Sequence, residues 1–300
     1  MPGKTSGVVP AAVLAAALLG SLGAGPAAAA GPTPRPGDAF SVVSWNMCGE
    51  ADKCKYRSEP QRKVDAIARS IADHRVDVAL LQETCTSHVD LLRGRLGTDW
   101  TVLHAVITRN GSPVRCDAPG GIYGVAVALR GPVDSSWATV LPSPAGREQR
   151  VALCVRQDAR GIQVCNAHFS YDGEDGGGKG DGPHRRRQAA VLAGLTARGT
   201  QDGYRTITGG DLNTIPPDEG GGAYANPAKN PGLTSLYAAA TECDEPEHRA
   251  RRGEPSLGSL WWQRKLDYLF VDRSTRINSC DVTTSDYSDH RPVFGVFTLG

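Results

Sequence analysis

Six short apolar runs in this chain begin or end in polar residues that a packed core would not use. Val42–Trp45 leads into Asn46, and Val76–Leu81 leads into Gln82-Glu83. The run from Ile162 ends in Asn166-Ala-His168, and Tyr204–Thr208 ends in Gly-Gly-Asp211-Leu-Asn213. Asp267 opens the run Leu266–Val271, and Ser288-Asp289-His290 stands before Pro292–Leu299. Runs of this length and composition read as buried strands. If the strands lie side by side with these termini on one edge, the chain gathers carboxylates, amides and imidazoles at a single place. Hard oxygen donors of that kind suit Mg²⁺, or Mn²⁺ or Ca²⁺, better than zinc.

The intervening segments have a different period. Pro60–His74 carries Val64, Ile67, Ala68 and Ile71 at helical spacing, with proline at its start. His184–Arg198 reads as a second helix through Ala190, Val191, Leu192 and Leu195, and Asp90–Leu96 as a short third. Tyr123–Leu129, Val151–Val155 and Cys280–Thr284 read as further strands, and Thr214–Lys265 as mostly irregular. Many strands, few helices and a mixed order indicate an α/β (α+β) protein in which two sheets pack face to face between helices.

Residues 1–30 are set apart from that fold. Lys4 precedes an apolar run from Val8 to Leu22, and Ala28-Ala29-Ala30 has the small residues of a cleavage site. The run is shorter than the roughly 20 apolar residues of a membrane span. It reads as a secretory signal peptide cleaved near Ala30, with no stable membrane anchor. Residues 31–39 read as a Pro/Gly-rich flexible leader, and 40–300 as one domain, expected to be monomeric. Lys4 is the only charged residue of the first thirty, so the 33 basic residues fall to 32, equal to the 32 acidic ones. A zero net charge excludes a broad basic field for polyanions and leaves local clusters or a bound cation to hold them.

All eight cysteines follow the leader, and an even count in an exported chain points to as many as four disulfides. No C-x2-C spacing supports a zinc site instead. Cys154 with Cys165, on two runs that can form a hairpin, and Cys48 with Cys54, flanking a short loop, are the two pairs the spacing indicates.

The motifs WN (45–46), QE (82–83), NAH (166–168), GDLN (210–213), LDY (266–268) and SDH (288–290) resemble, in order and rough spacing, those of the endonuclease/exonuclease/phosphatase superfamily. Any one of them recurs by chance, and a lone histidine is more often a surface residue than a catalyst. Six in order across residues 40–299 are specific. The resemblance implies a four-layered sandwich of two packed mixed sheets flanked by helices, with the site at one end. It implies that Asn46 and Glu83 bind metal with help from Asp289, and that Asp211 and Asn213 orient the attacking water and hold phosphate. It further implies that His290 is the catalytic imidazole and Asp267 its carboxylate partner. His168 resembles the second histidine of the deoxyribonuclease and sphingomyelinase branches, and Arg147 (with Glu148) a phosphate-contacting pair of pancreatic-type deoxyribonucleases. One departure stands out. A glutamate backs the first histidine of the deoxyribonuclease branch, whereas the comparable stretch here reads Ala118-Pro-Gly-Gly121, so His168 needs another partner or only binds phosphate.

The chemistry is consistent with these roles. A phosphodiester repels anionic nucleophiles, and a cation at Glu83 would neutralise charge on the phosphoryl oxygens. Asn46, Asn213 and His168 would add donors to the same oxygens. A carboxylate at His290 would fix its tautomer, leaving it as base or as imidazolium. The expected activity is hydrolysis of phosphodiesters by a secreted nuclease acting on DNA or RNA. The alternatives are a sphingomyelinase or other phospholipid phosphodiesterase, or an inositol-phosphate phosphatase. A non-catalytic binding protein on the same scaffold would be expected to have lost the histidine or the metal carboxylate. Arg185-Arg186-Arg187 and His248–Arg252 are candidate contacts to a nucleic-acid backbone, and Trp261-Trp262 could stack on a base or face lipid.

Overall fold

The computed structural model describes residues 39–176, 182–217, 231–244, 254–259 and 262–299. Its strands in chain order are β1 (Ala39–Asn46), β2 (Val78–Cys85), β3 (Trp100–Val106), β4 (Thr108–Arg109), β5 (Ser112–Pro113), β6 (Tyr123–Arg130), β7 (Ser135–Val140), β8 (Glu148–Gln149) and β9 (Val151–Gln157). They continue as β10 (Ile162–His168), β11 (Arg205–Asp211), β12 (Thr241–Glu242), β13 (Leu257–Ser259), β14 (Trp262–Arg264), β15 (Asp267–Val271), β16 (Arg276–Val282) and β17 (Val293–Thr298). The helices are α1 (Pro60–Asp73), α2 (Thr86–Leu96), α3 (Asp172–Asp175), α4 (Pro183–Gln201) and α5 (Thr234–Ala239).

Two six-stranded sheets dominate, ordered β16-β17-β1-β2-β6-β3 and β12-β15-β11-β10-β9-β7. Between them Val42, Leu80, Val125 and Val127 meet Val155, Val164, Ile207 and Leu269. On the outer face of the first sheet, Val43, Ala79 and Leu81 pack on Val64, Ile67 and Ile71 of α1 and on Leu92 of α2. On the outer face of the second, Ala167, Tyr268 and Phe270 pack on Ala189 and Leu192 of α4 and on Leu236 of α5. Successive strand residues therefore bury on opposite faces, which is why the runs are apolar throughout rather than alternating. Each Val, Leu, Ile or Phe among them stabilises the fold by roughly 1.5–3 kcal/mol. The result is the expected order of helices, sheet, sheet and helices.

Two strand pairs are parallel, β1 with β2 and β10 with β11, while the other pairs in both sheets are antiparallel. A parallel pair needs a crossover, which α1 and α4 supply. The carboxyl ends of both pairs carry Asn46, Glu83, His168 and Asp211. Asp267 starts β15 directly opposite Asp211, so an antiparallel strand delivers its first residue to the same edge.

Some elements differ from the reading of the sequence. α2 begins at Thr86, ahead of the expected Asp90, because the His88 ring accepts the Cys85 N–H at 3.1 Å and closes the helix start. β3 and β7 are absent from that reading because they are sheet edges, β3 mostly half-buried and β7 mostly exposed, and neither has a continuous apolar run. The stretch expected to be irregular holds α5, β12 and the β13–β14 hairpin. The eight cysteines form four disulfides: the two anticipated pairs, plus Cys85–Cys116 and Cys243–Cys280. Among the described residues no helix is long and apolar enough to cross a membrane. The leader sequence through residue 38, His248–Arg252 and Trp261 lie outside the described residues.

Candidate active site

Glu83 owes its place to a bulge. The pairing of β2 with β6 slips between Leu81 and Thr84, and Glu83 takes a left-handed φ of 54°. Such backbone costs a side-chain-bearing residue of order 1–3 kcal/mol and is retained where something over-determines it. Here the bulge turns Gln82 inward and Glu83 toward the pocket. The Gln82 amide donates to Asn166 Oδ1 at 2.8 Å, and the Asn166 amide donates to the carbonyls of Leu81 and Ala126. These buried polar bonds tie the two sheets together just beneath the site.

Asn46 links the two halves above them. Its Nδ2 donates to Glu83 Oε1 at 3.1 Å and to Asp211 Oδ2 at 3.0 Å, and its Oδ1 accepts the Cys48 N–H. Asp211 Oδ2 also lies 3.5 Å from His168 Nε2 and 3.6 Å from His290 Nε2. Its other oxygen accepts the Asn213 N–H, and the Asn213 amide donates to the Phe169 carbonyl. His290 Nδ1 pairs with Asp267 Oδ2 at 2.7 Å, and the His290 carbonyl accepts the Trp45 indole N–H. Glu83 is thus three contacts from His290, through Asn46 and Asp211.

Glu83, His168, Asp211, Asn213 and His290 line a cavity of about 410 Å³ together with Lys53, Tyr123, Glu148, Arg150, Tyr171 and Leu257; Asn46 and Asp267 do not line it. Asp289 is not among the lining residues but pairs at 2.6 Å with Lys53, which is. Burial raises the Glu83 carboxyl above its usual range against the Asn46 hydrogen bond, and a bound cation would reverse that shift. Burial likewise raises Asp211. Burial alone would lower His290, but the Asp267 and Asp211 carboxylates outweigh it and raise the ring to about 10. His168 is pushed the other way, first by burial and then by Arg150.

The expected carboxylates, amides and histidines therefore meet at one sheet edge, with donors converging on one carboxylate oxygen. Glu83 and Asn46 Oδ1 are hard oxygen donors of the kind a divalent cation takes, and Asp289, expected beside them, is paired with Lys53. Asp211, Asp267 and His290 offer further ligand atoms within 4.8 Å of one another. Two expectations about arginine change. Arg147 is exposed on a bend and does not line the cavity. The arginine that does is Arg150, whose Nη1 lies 3.3 Å from His168 Nδ1. An arginine heading the run Arg150–Val155 was the available signal, since a charge that begins a buried strand faces something specific. Arg185 is not a free contact either: it is fully buried on α4, paired with Asp172 and Asp175.

The chain matches the model of the Endonuclease/Exonuclease/phosphatase family over residues 43–290. No curated protein matches it in sequence. Solved structures with the same fold include an endonuclease/exonuclease/phosphatase from Beutenbergia cavernae at 20% identity, TM-score 0.63, covering 89% of this chain and 72% of that one. The human Nocturnin catalytic domain with bound sulfate shares 18% identity at TM-score 0.62, with 87% and 95% covered. D. rerio TDP2 complexed with a single-strand DNA product shares 13% at TM-score 0.60, with 87% and 100% covered.

Proposed function

Since the chain belongs to the endonuclease/exonuclease/phosphatase family, we propose that it is a secreted, divalent-metal-dependent phosphodiesterase whose substrate is nucleic acid. The observation that carries this reading is the convergence of the Asn46 amide and the Nε2 atoms of His168 and His290 on Asp211 Oδ2, beside Glu83. Three donors around one anionic point, next to a metal-type carboxylate, suit a phosphoryl group. Glu83, Asn46 and Asp289 would hold the cation (Mg²⁺, or Mn²⁺ or Ca²⁺), which would neutralise charge on the phosphoryl oxygens. Asp211 and Asn213 orient the attacking water. His290, kept protonated by Asp267, donates through Nε2 to a phosphoryl oxygen.

Tyr171 supports nucleic acid over a smaller ester. It is 48% exposed at the cavity wall, where a half-exposed ring offers a stacking surface for a base. The four disulfides fit an oxidising compartment. The β13–β14 hairpin favours the second reading, a sphingomyelin-type phosphodiesterase, because its Leu257 lines the cavity and bridges to His290.

The test is a panel of plasmid DNA, RNA, sphingomyelin vesicles and inositol phosphates, each with Mg²⁺, Mn²⁺, Ca²⁺ or chelator. Cleavage of DNA or RNA is expected, abolished by chelator and reduced about 10²–10⁴-fold by His290→Ala. If a lipid or inositol ester is hydrolysed while both polymers stay intact, the nuclease reading is wrong.

A further inference from the structure

We propose that Arg150 is a positioning residue that fixes His168 as the Nε2–H tautomer, so that His168 serves as a hydrogen-bond donor to a phosphoryl oxygen and not as a proton donor. The role for His168 rests on the phosphodiesterase reading above; the tautomer does not. A guanidinium carries five N–H groups, has no acceptor and stays protonated in proteins. The nitrogen it touches must therefore present a lone pair. With Arg150 Nη1 3.3 Å from His168 Nδ1, the ring proton is left on Nε2. That atom faces Asp211 Oδ2 at 3.5 Å. A second proton, on Nδ1, would set N–H against N–H and a cation against a cation.

Arg150 cannot swing aside to relieve this contact. It is 2% exposed, and its Nη2 is held by Glu174 at 2.9 Å and Glu148 at 3.2 Å. The two carboxylates offset the cost of burying the guanidinium. Glu174 comes from α3, so that short helix has a purpose: it secures the residue behind His168. The two histidines facing Asp211 are thereby opposed. His290 Nδ1 is backed by the carboxylate of Asp267, an acceptor, whereas His168 Nδ1 is backed by a guanidinium, a donor. Neighbouring groups whose environments push their protonation apart are a common division of labour in active sites.

Two measurements test the proposal. The first is long-range ¹⁵N NMR of histidine-labelled protein, with the His168 ring assigned from its absence in His168→Gln. A lone-pair shift at Nδ1 and a protonated shift at Nε2 are expected at pH 7. A proton on Nδ1, or protons on both nitrogens, overturns the tautomer whatever the natural substrate is. The second is turnover of bis(p-nitrophenyl) phosphate and of a diester with a poor leaving group. His168→Gln, which can donate an N–H but not deliver a proton, should keep activity within about 10-fold of wild type. His168→Ala should lose about 10²–10³-fold on both esters. Equal losses in Gln and Ala that vanish with the good leaving group would make His168 a proton donor and refute its assigned role. If Arg150→Gln folds, its His168 signals should shift toward mixed tautomers; unchanged signals would show that Arg150 does not set them.

Discussion

The molecule contains two parallel strand–helix–strand units, β1-α1-β2 and β10-α4-β11, one in each sheet, and they solve one problem with different charges. In both, the crossover helix begins with proline and buries a cation within its first turns, Lys63 in α1 and Arg185 in α4. In both, that cation anchors backbone beyond a strand carrying site residues. Lys63 donates to the carbonyls of Met47 at 2.8 Å and Cys48 at 2.7 Å, just past Asn46, and to Tyr287. Arg185 donates to the Asn213 carbonyl at 2.9 Å, just past Asp211. The difference lies in the counter-charge. Arg185 pairs with Asp172 and Asp175, while Lys63 has no carboxylate within ion-pair distance among the described residues. The uncompensated lysine feels the fields of Glu83 and Asp289 instead. The second unit thus neutralises its own scaffold, and the first leaves a positive charge beneath the proposed metal carboxylates.

The largest expected effect tests that contrast. Arg185→Met would strip the guanidinium from Asp172 and Asp175 and orphan the Asn213 and Gly176 carbonyls, although Asp175 keeps His184 and two backbone N–H groups. Breaking a buried pair from one side costs about 3–5 kcal/mol. Urea unfolding should show a loss of that size. A loss under about 1 kcal/mol would mean that the second unit does not depend on its internal pairing.

A second difference lies beyond the functional ends of the units. After Asp211 the chain is held by the residue's own carboxylate, through the Asn213 N–H. After Glu83 it is held by a neutral imidazole, because His88 accepts the Cys85 N–H. Burial, then Lys63, lower His88 from 6.5 to about 4. With the folded value depressed, the unfolded chain binds the extra proton between pH 6.5 and about 4. Stability should therefore fall as pH drops through that window, by about 3 kcal/mol at the limit. Glutamine at this helix position can accept the same N–H without titrating. His88→Gln should flatten the acid limb of the stability curve, and an unchanged slope would remove His88 as its cause.

How much of this was readable in the sequence depends on the kind of residue. Motif residues at strand ends, such as Glu83, Asp211 and His290, could be picked out because polar groups there break an apolar run. Arg150, Lys63 and Arg185 could not. A buried cation looks like any surface arginine or lysine until the carbonyls and carboxylates around it are placed, and its partners lie up to 224 residues away. Arg185 is the example: three consecutive arginines at a helix start read as a contact surface, yet only the first turns inward. Two disulfides were readable because their cysteines are close in sequence. Cys85–Cys116 and Cys243–Cys280 were not, with separations of 31 and 37 that fit several pairings.

The smallest expected effect, at Lys63, best sharpens the comparison of the two units. Lys63→Met would orphan three buried carbonyls, a cost of about 1–3 kcal/mol each when nothing replaces the donor. Against that, burial lowers the Lys63 ammonium to about 8, so the wild-type protein already bears a cost for keeping it charged, and methionine removes that cost. The opposing terms leave a net loss of about 1–2 kcal/mol at neutral pH, below that for Arg185→Met. The pH dependence carries the sign. Because the folded value lies below the unfolded 10.5, the unfolded chain holds the proton between about 8 and 10.5. Wild-type stability therefore gains as pH rises through that window, and the gap to Lys63→Met should widen there. A gap that stays constant from pH 7 to pH 10 would mean that Lys63 is not an uncompensated cation, and the two units would then differ in sequence but not in electrostatic design.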